Sequence, residues 1–244
     1  AINRSTTAGM FFNDVDAGTI TVTGATIDGN NASGTAKGVS INNSNATFSF
    51  DAATKIQKWS SDDFEVNGGT GNITFAGDID NTDTGGNSIH IRNVTGGTIA
   101  FTADNTVDDT NLGILVSGNP GGTYSFNGDY NLTTTTHDAV TIDTNPGATI
   151  NIGNLDIETT SGQGFVAKNG GTLTVTGFSN TIDRTAGGTT GFALDIEGMT
   201  IGAVDFEHVN ATGGQNGVHL ANNTGGTITV GDTGNAVCAG RTIT

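Results

Sequence analysis

Cysteine, proline, tryptophan and positive charge are nearly missing from this chain of 244 residues, which holds one Cys, two Pro, one Trp and eight Lys plus Arg. With Cys238 alone there is no internal disulfide and no Cys-based zinc site. Scarce Pro suits strands that must donate and accept hydrogen bonds on both sides. Lys, Glu, Leu and Arg, the residues that build helices, are also few. No apolar run approaches the roughly 20 residues that span a bilayer, which excludes insertion by a helix. With 24 acidic residues the net charge is −16, which repels nucleic acid and anionic lipid and argues against both as partners. The first residues, Ala-Ile-Asn-Arg-Ser, show neither an initiator Met nor an apolar leader core, as in a processed chain or a piece of a longer one.

What fills the chain instead is Gly, 39 residues of it, with Thr, Asn and Ser. Gly every third residue does not occur, so collagen is excluded. Ile, Val and Phe return at short regular intervals, which a disordered chain does not show. One phrase recurs: an apolar residue, a polar turn with Asn and Gly, then Thr-apolar-x-apolar. It reads INNSNATFSF at 41–50, IRNVTGGTIAF at 91–101 and LANNTGGTITV at 220–230. The first apolar residue after the turn falls at Ile20, Phe48, Ile73, Ile99, Tyr124, Ile150, Leu173, Ile201 and Ile228, at spacings of 23 to 28 residues. Each repeat adds a lone aliphatic (Ile27, Ile56, Ile79, Val107, Leu132) and then a second alternating pair (Val39 with Ile41, Ile89 with Ile91, Phe192 with Leu194). Alternation with period two marks strands with one buried face, here too short for a sandwich.

The pattern predicts an all-β right-handed parallel β-helix of about nine coils, each of roughly 26 residues and three short strands. Phe50, Phe75, Phe101 and Phe126 fall at one coil position and are expected to stack inside the tube. The chain reads as one solenoid segment over 1–244 that begins and ends mid-coil without evident caps. An open coil is an exposed strand edge, so the expected partners are flanking coils of the same chain or copies stacked end to end.

The GGTITV phrase and its relatives resemble the repeats of bacterial right-handed parallel β-helix surface proteins, such as autotransporter passengers and filamentous-haemagglutinin-like adhesins. That resemblance covers nearly the whole chain. The same coil carries adhesins, sugar lyases, tailspikes and plain stalks. Uniform coils, missing end caps and the lack of a convergent polar cluster favour a non-catalytic structural or adhesive role, outside the cell or at its surface, in a bacterium or archaeon. Glycans are the ligand class such surfaces meet.

Chemistry-bearing residues point to alternatives. Asn81-Thr82-Asp83, Asp108-Asp109 and His137 fall on successive coils, in an order similar to that of polygalacturonase-like β-helix hydrolases. Those enzymes need carboxylates on one face for acid and base work. Here His137 sits in Thr-His-Asp rather than Gly-His-Gly, and Asp109 aligns with Asn81. The residue following each lone aliphatic includes Asp28, Asp80, Asp108, Glu158 and Asp183. If these line one edge, Ca²⁺ is the cation that would relieve their repulsion. Trp59, beside Lys58 in the polar segment QKWSSDD, either stacks on a sugar or covers a coil edge. An outward rank of Thr19, Thr47, Thr98, Thr123, Thr149, Thr172, Thr200 and Thr227 resembles the face of ice-binding solenoids, and equally suits exposed strands, where Thr is favoured.

Overall fold

A computed structural model describes residues 2–3, 7–30, 34–82, 85–102, 106–177, 179–186, 190–231 and 241–243. One coil shows the plan: Thr98–Phe101 lies in the first of three sheets, Thr106–Asp109 in the second and Ile114–Ser117 in the third, before Thr123–Phe126 returns to the first. We call these sheets C, A and B. Sheets A and B each stack nine strands, and sheet C ten. Every pairing within A and B is parallel, as in Ile79↔Val107 of A and Ile91↔Val116 of B, and so is every pairing of C but its last, as in Ile99↔Tyr124. The result is a parallel β-solenoid of about eight turns, one fewer than the spacings suggest, with three strands per coil. Among the described residues no helix is long and apolar enough to cross a membrane.

The alternating residues point inward as expected, and one continuous apolar core runs the length of the tube. Phe50, Phe75, Phe101 and Phe126 stack at centroid separations of 5.5, 5.9 and 5.2 Å, with Phe64 wedged edge-on against the middle of the row. The chain leaves sheet B through a left-handed residue in coil after coil: Asn43, Asn93, Gly118, Thr144, Asn169 and Asn222 all have positive φ. Asn and Gly tolerate that conformation best, which is why the recurrent phrase carries them there.

Three registers differ from the repeat arithmetic. Val107 pairs with Tyr130 rather than Leu132, because Asp129–Thr134 is a six-residue strand that admits an extra inward position. In sheet B, Leu194 rather than Phe192 takes the place opposite Phe165. In sheet C the ladder bulges between Leu173 and Val175, and in the next pairing Ile228 faces Val204 and not Ile201. In addition, Arg241–Ile243 runs antiparallel along Thr224–Val230, covering that edge of sheet C, where the repeat predicts only an open coil.

Candidate functional site

Outward side chains of sheet B form the most organised polar surface. Glu65 stands between Ser40 and His90 in the ladder, and Arg92 lies diagonally across from it. Its carboxylate accepts from Ser40 Oγ at 2.9 Å, pairs with Lys37 Nζ at 2.5 Å, and takes two bonds from the Arg92 guanidinium at 2.8 and 3.2 Å. Asp62 sits next to it, held by His90 Nδ1 at 3.0 Å and by the Asn87 amides. Burial works to raise Glu65, but the bonds from Lys37 and Arg92 together outweigh it and hold the carboxyl below its usual range. Asp62 follows the same logic, with His90 and Asn87 overcoming its burial.

Asp62, Glu65 and His90 bring ligand-type atoms within 4.8 Å of one another. Lys37 and Arg92 already supply positive charge there, so a metal ion would have to displace two built-in cations. A second cluster repeats the scheme further along the same face. Asp195 is buried beneath Lys168 at 2.6 Å and His219 at 2.8 Å, and Phe192 stacks on the His219 ring.

Beside the first cluster a groove of about 370 Å³ opens over sheet B, bordered by Phe11, Asn42, Asn67 and Arg92. Asn13, Asn42, Asn67 and Arg92 follow one another in register, a ladder of amides ending in a guanidinium. Phe11 is 58% exposed, unlike every other large apolar side chain described. Nothing in the repeat singled out these residues, because Phe11 and the three Asn residues read as ordinary strand and turn positions.

The residues singled out from the sequence are placed as follows. Asp108 and Asp109 occupy opposite faces of one strand: Asp108 is exposed on sheet A, whereas Asp109 points inward and is 1% exposed. They cannot share a face for acid and base work. Asn81 does pair with Asp109, and its amide donates to that carboxylate at 3.2 Å. His137 is exposed in the turn before Val140–Asp143 and borders a shallow depression that includes neither Asp108 nor Asp109. Asp83 and Cys238 lie outside the described residues.

The five carboxylates proposed for calcium do not form one column. Asp28, Asp80 and Asp108 share a rank with Gln57, but Glu158 and Asp183 lie two positions over, because of the extra residues in Asp129–Thr134. Several already have partners: Asp28 accepts from Gln57 at 2.8 Å, Asp80 pairs with Lys55 at 3.3 Å, and Asp183 with His208 at 3.3 Å.

Trp59 is fully buried, and its indole donates to the Ile27 carbonyl at 3.1 Å. It plugs the corner between sheets A and B and offers no face to a sugar. Lys58 beside it is half-buried in a left-handed turn. In the Thr rank, Thr98, Thr123, Thr149, Thr172 and Thr200 are in register, and Thr19 faces Thr47. Thr224 continues the rank, while Thr227 faces Ala203.

A further polar group was not foreseen. Asp63, Asn81, Ser88 and Asp109 are all buried at the inner corner where sheet A turns into sheet B. Asp109 accepts from Ser88 Oγ and from the Asn111 backbone N–H at 2.6 Å. Burial pushes Asp63 well above the usual carboxylate range, with the Asp109 charge adding to it, and burial raises Asp109 as well. No protein-family model, curated protein or solved structure matches the chain.

Proposed function

We propose that the chain is a non-catalytic structural or adhesive solenoid, a stiff rod that spaces or presents a surface outside a bacterial or archaeal cell. One observation carries this reading: the two buried outward acids of sheet B, Glu65 and Asp195, are matched by cations from neighbouring rungs. Glu65 is bound by Lys37 and Arg92, and Asp195 by Lys168 and His219. A catalytic carboxylate needs a lone pair or proton available to substrate, whereas these pairs hold neighbouring coils in place. The rod works within a longer solenoid or by stacking of copies, since the backbone groups that join one rung to the next can join any matching rung.

Immunogold electron microscopy of the producing cells, together with assays on plant and bacterial polysaccharides, tests this. Gold-labelled rods or fibres outside the envelope and no new reducing ends are expected. Label confined to the cytoplasm, or depolymerised glycan, overturns the proposal.

An adhesive rather than purely spacing role is favoured at the groove over sheet B. An exposed aromatic ring beside a ladder of amides suits the apolar faces and hydroxyls of a sugar chain. Glycan-array binding that is lost at least tenfold on Phe11→Ala supports adhesion through that groove. No retained glycan leaves spacing as the role.

A further inference from the structure

The corner where sheet A turns into sheet B has room for very little side chain. The position just before the first inward residue of sheet B, Val39, Ile89, Ile114, Val140 or Phe165, is Gly38, Ser88, Gly113, Ala139 and Gly164 in five of the coils. A Cβ at Gly38 would stand 2.5 Å from Ile56 Cγ2, and one at Gly164 would stand 2.4 Å from Ile182 Cγ2, so this column points into the tube. In one coil the position is Asp63, a carboxylate where its neighbours carry a hydroxyl at most. Asp63 is 0% exposed, no side chain donates to either carboxylate oxygen, and the Trp59 backbone N–H is the one hydrogen-bonding group directed at it, outside ordinary hydrogen-bond geometry.

The same corner holds further acceptors. Asn81 is also 0% exposed, and its Oδ1 has no partner. Its amide orientation is set by Nδ2, which donates to Gly86 O at 2.9 Å and Asp109 Oδ2 at 3.2 Å. The Trp59 carbonyl shares this space, since a Cβ at Gly85 would meet both Trp59 O, at 2.3 Å, and Asn81 Oδ1, at 3.4 Å. The cations of this region, Lys37 and Arg92, are on the outer face and bound to Glu65.

We propose that this inner corner is a binding site for one hard divalent cation, Ca²⁺, held by Asp63, Asn81 Oδ1 and Asp109. Carboxylate and amide oxygens are the donor set Ca²⁺ takes. Two buried carboxylates supply two negative charges, which one divalent ion neutralises. A proton quenches one charge and satisfies one oxygen, and a water molecule satisfies two oxygens but no charge. A buried carboxylate with no cation beside it is among the least tolerable groups in a protein interior, so the coil is stabilised by whatever fills this role. The site is distinct from the outer cluster of Asp62, Glu65 and His90, whose charges are already matched.

Trp59, the sole tryptophan, provides the reporter. The full chain is refolded from denaturant with Tb³⁺, excited at the indole and read at the lanthanide emission. One Tb³⁺ per chain with sensitised emission that Ca²⁺ displaces is expected, along with an unfolding midpoint that Ca²⁺ raises and a chelator lowers. Asp63→Ser, which installs the residue found one coil further on, should fold with an unchanged far-ultraviolet spectrum and lose emission at least tenfold. Asp108→Asn, on the outer face, should keep it. Absence of sensitised emission in the refolded wild type, or equal emission in Asp63→Ser, overturns the proposal. So does a midpoint indifferent to Ca²⁺ that rises as pH is lowered, which would make a proton the occupant.

Discussion

At the scale of single residues, the turn out of sheet B shows how backbone conformation selects side chains. Its left-handed positions are filled by Asn or Gly in most coils, but Thr144 takes φ 59 with a branched Cβ. That conformation costs a non-glycine residue roughly 1–2 kcal/mol, and a β-branched one is disfavoured further. Thr144→Asn is therefore expected to stabilise the protein by about 1 kcal/mol, read as a higher urea midpoint at unchanged m-value. Asp51 offers a pH test. It accepts from the Gly24 backbone N–H of the preceding coil and from Thr54, and these bonds depress its pKa. A depressed carboxyl contributes stability above its unfolded pKa and loses it as pH falls through the folded value. Asp51→Asn should thus lower the midpoint at pH 7, and the difference from wild type should vanish once the Asp51 carboxyl is protonated in both the folded and the unfolded state. The Asn and Gly punctuation was legible in the sequence. The burial of Trp59 was not, because the six polar residues around it, Gln57, Lys58 and 60–63, hide a corner that only the stacked coils create.

Among strands and sheets, the ladder of like residues is the unit of stability. Phe101 touches Phe64, Phe75 and Phe126 within the tube and is fully buried. Phe101→Ala should cost about 3–5 kcal/mol, since the rungs on either side hold the cavity open and prevent collapse. The sheet B network is expected to count for less. Glu65 has 2% of its side chain exposed but Arg92 has 38%, so solvent screens part of the attraction. Glu65→Gln should cost about 1–2 kcal/mol in thermal or chemical unfolding, with little change for Phe11→Ala. The Phe column could be read from spacing alone, because a hydrophobic position is the same in every coil. The slip at Tyr130 could not, since Tyr130 and Leu132 both satisfy the alternation and only packing against Val107 and Leu155 decides between them. That two-residue slip is also what divides the acidic rank of sheet A into two.

For the molecule as a whole, nearly all tertiary contacts lie between successive coils, so stability is close to a sum over neighbours. The outer coils have one neighbouring coil each, and their core residues show it: Met10, Phe12, Ile20, Val209, Val218 and Leu220 are only partly buried. Hydrogen exchange should therefore be slowest in the central strands Ile89–Arg92, Ile114–Ser117 and Val140–Asp143, and faster toward both ends. Uniform protection along a single unstacked chain would contradict this picture.

The sequence by itself determined the class of fold, its three strands per coil and its aromatic core, because a solenoid writes each spatial column into the chain at a nearly constant interval. It determined the left-handed turns as well, since few residues accept that backbone. Only the tertiary structure decided which coil position faces which, where the bulges fall, and what the isolated polar residues do. Asp63 and Asp109 are 46 residues apart and look like two more acids in an acidic chain. Stacking alone turns both into the same closed corner, where desolvation and proximity, neither of them local in sequence, set their chemistry.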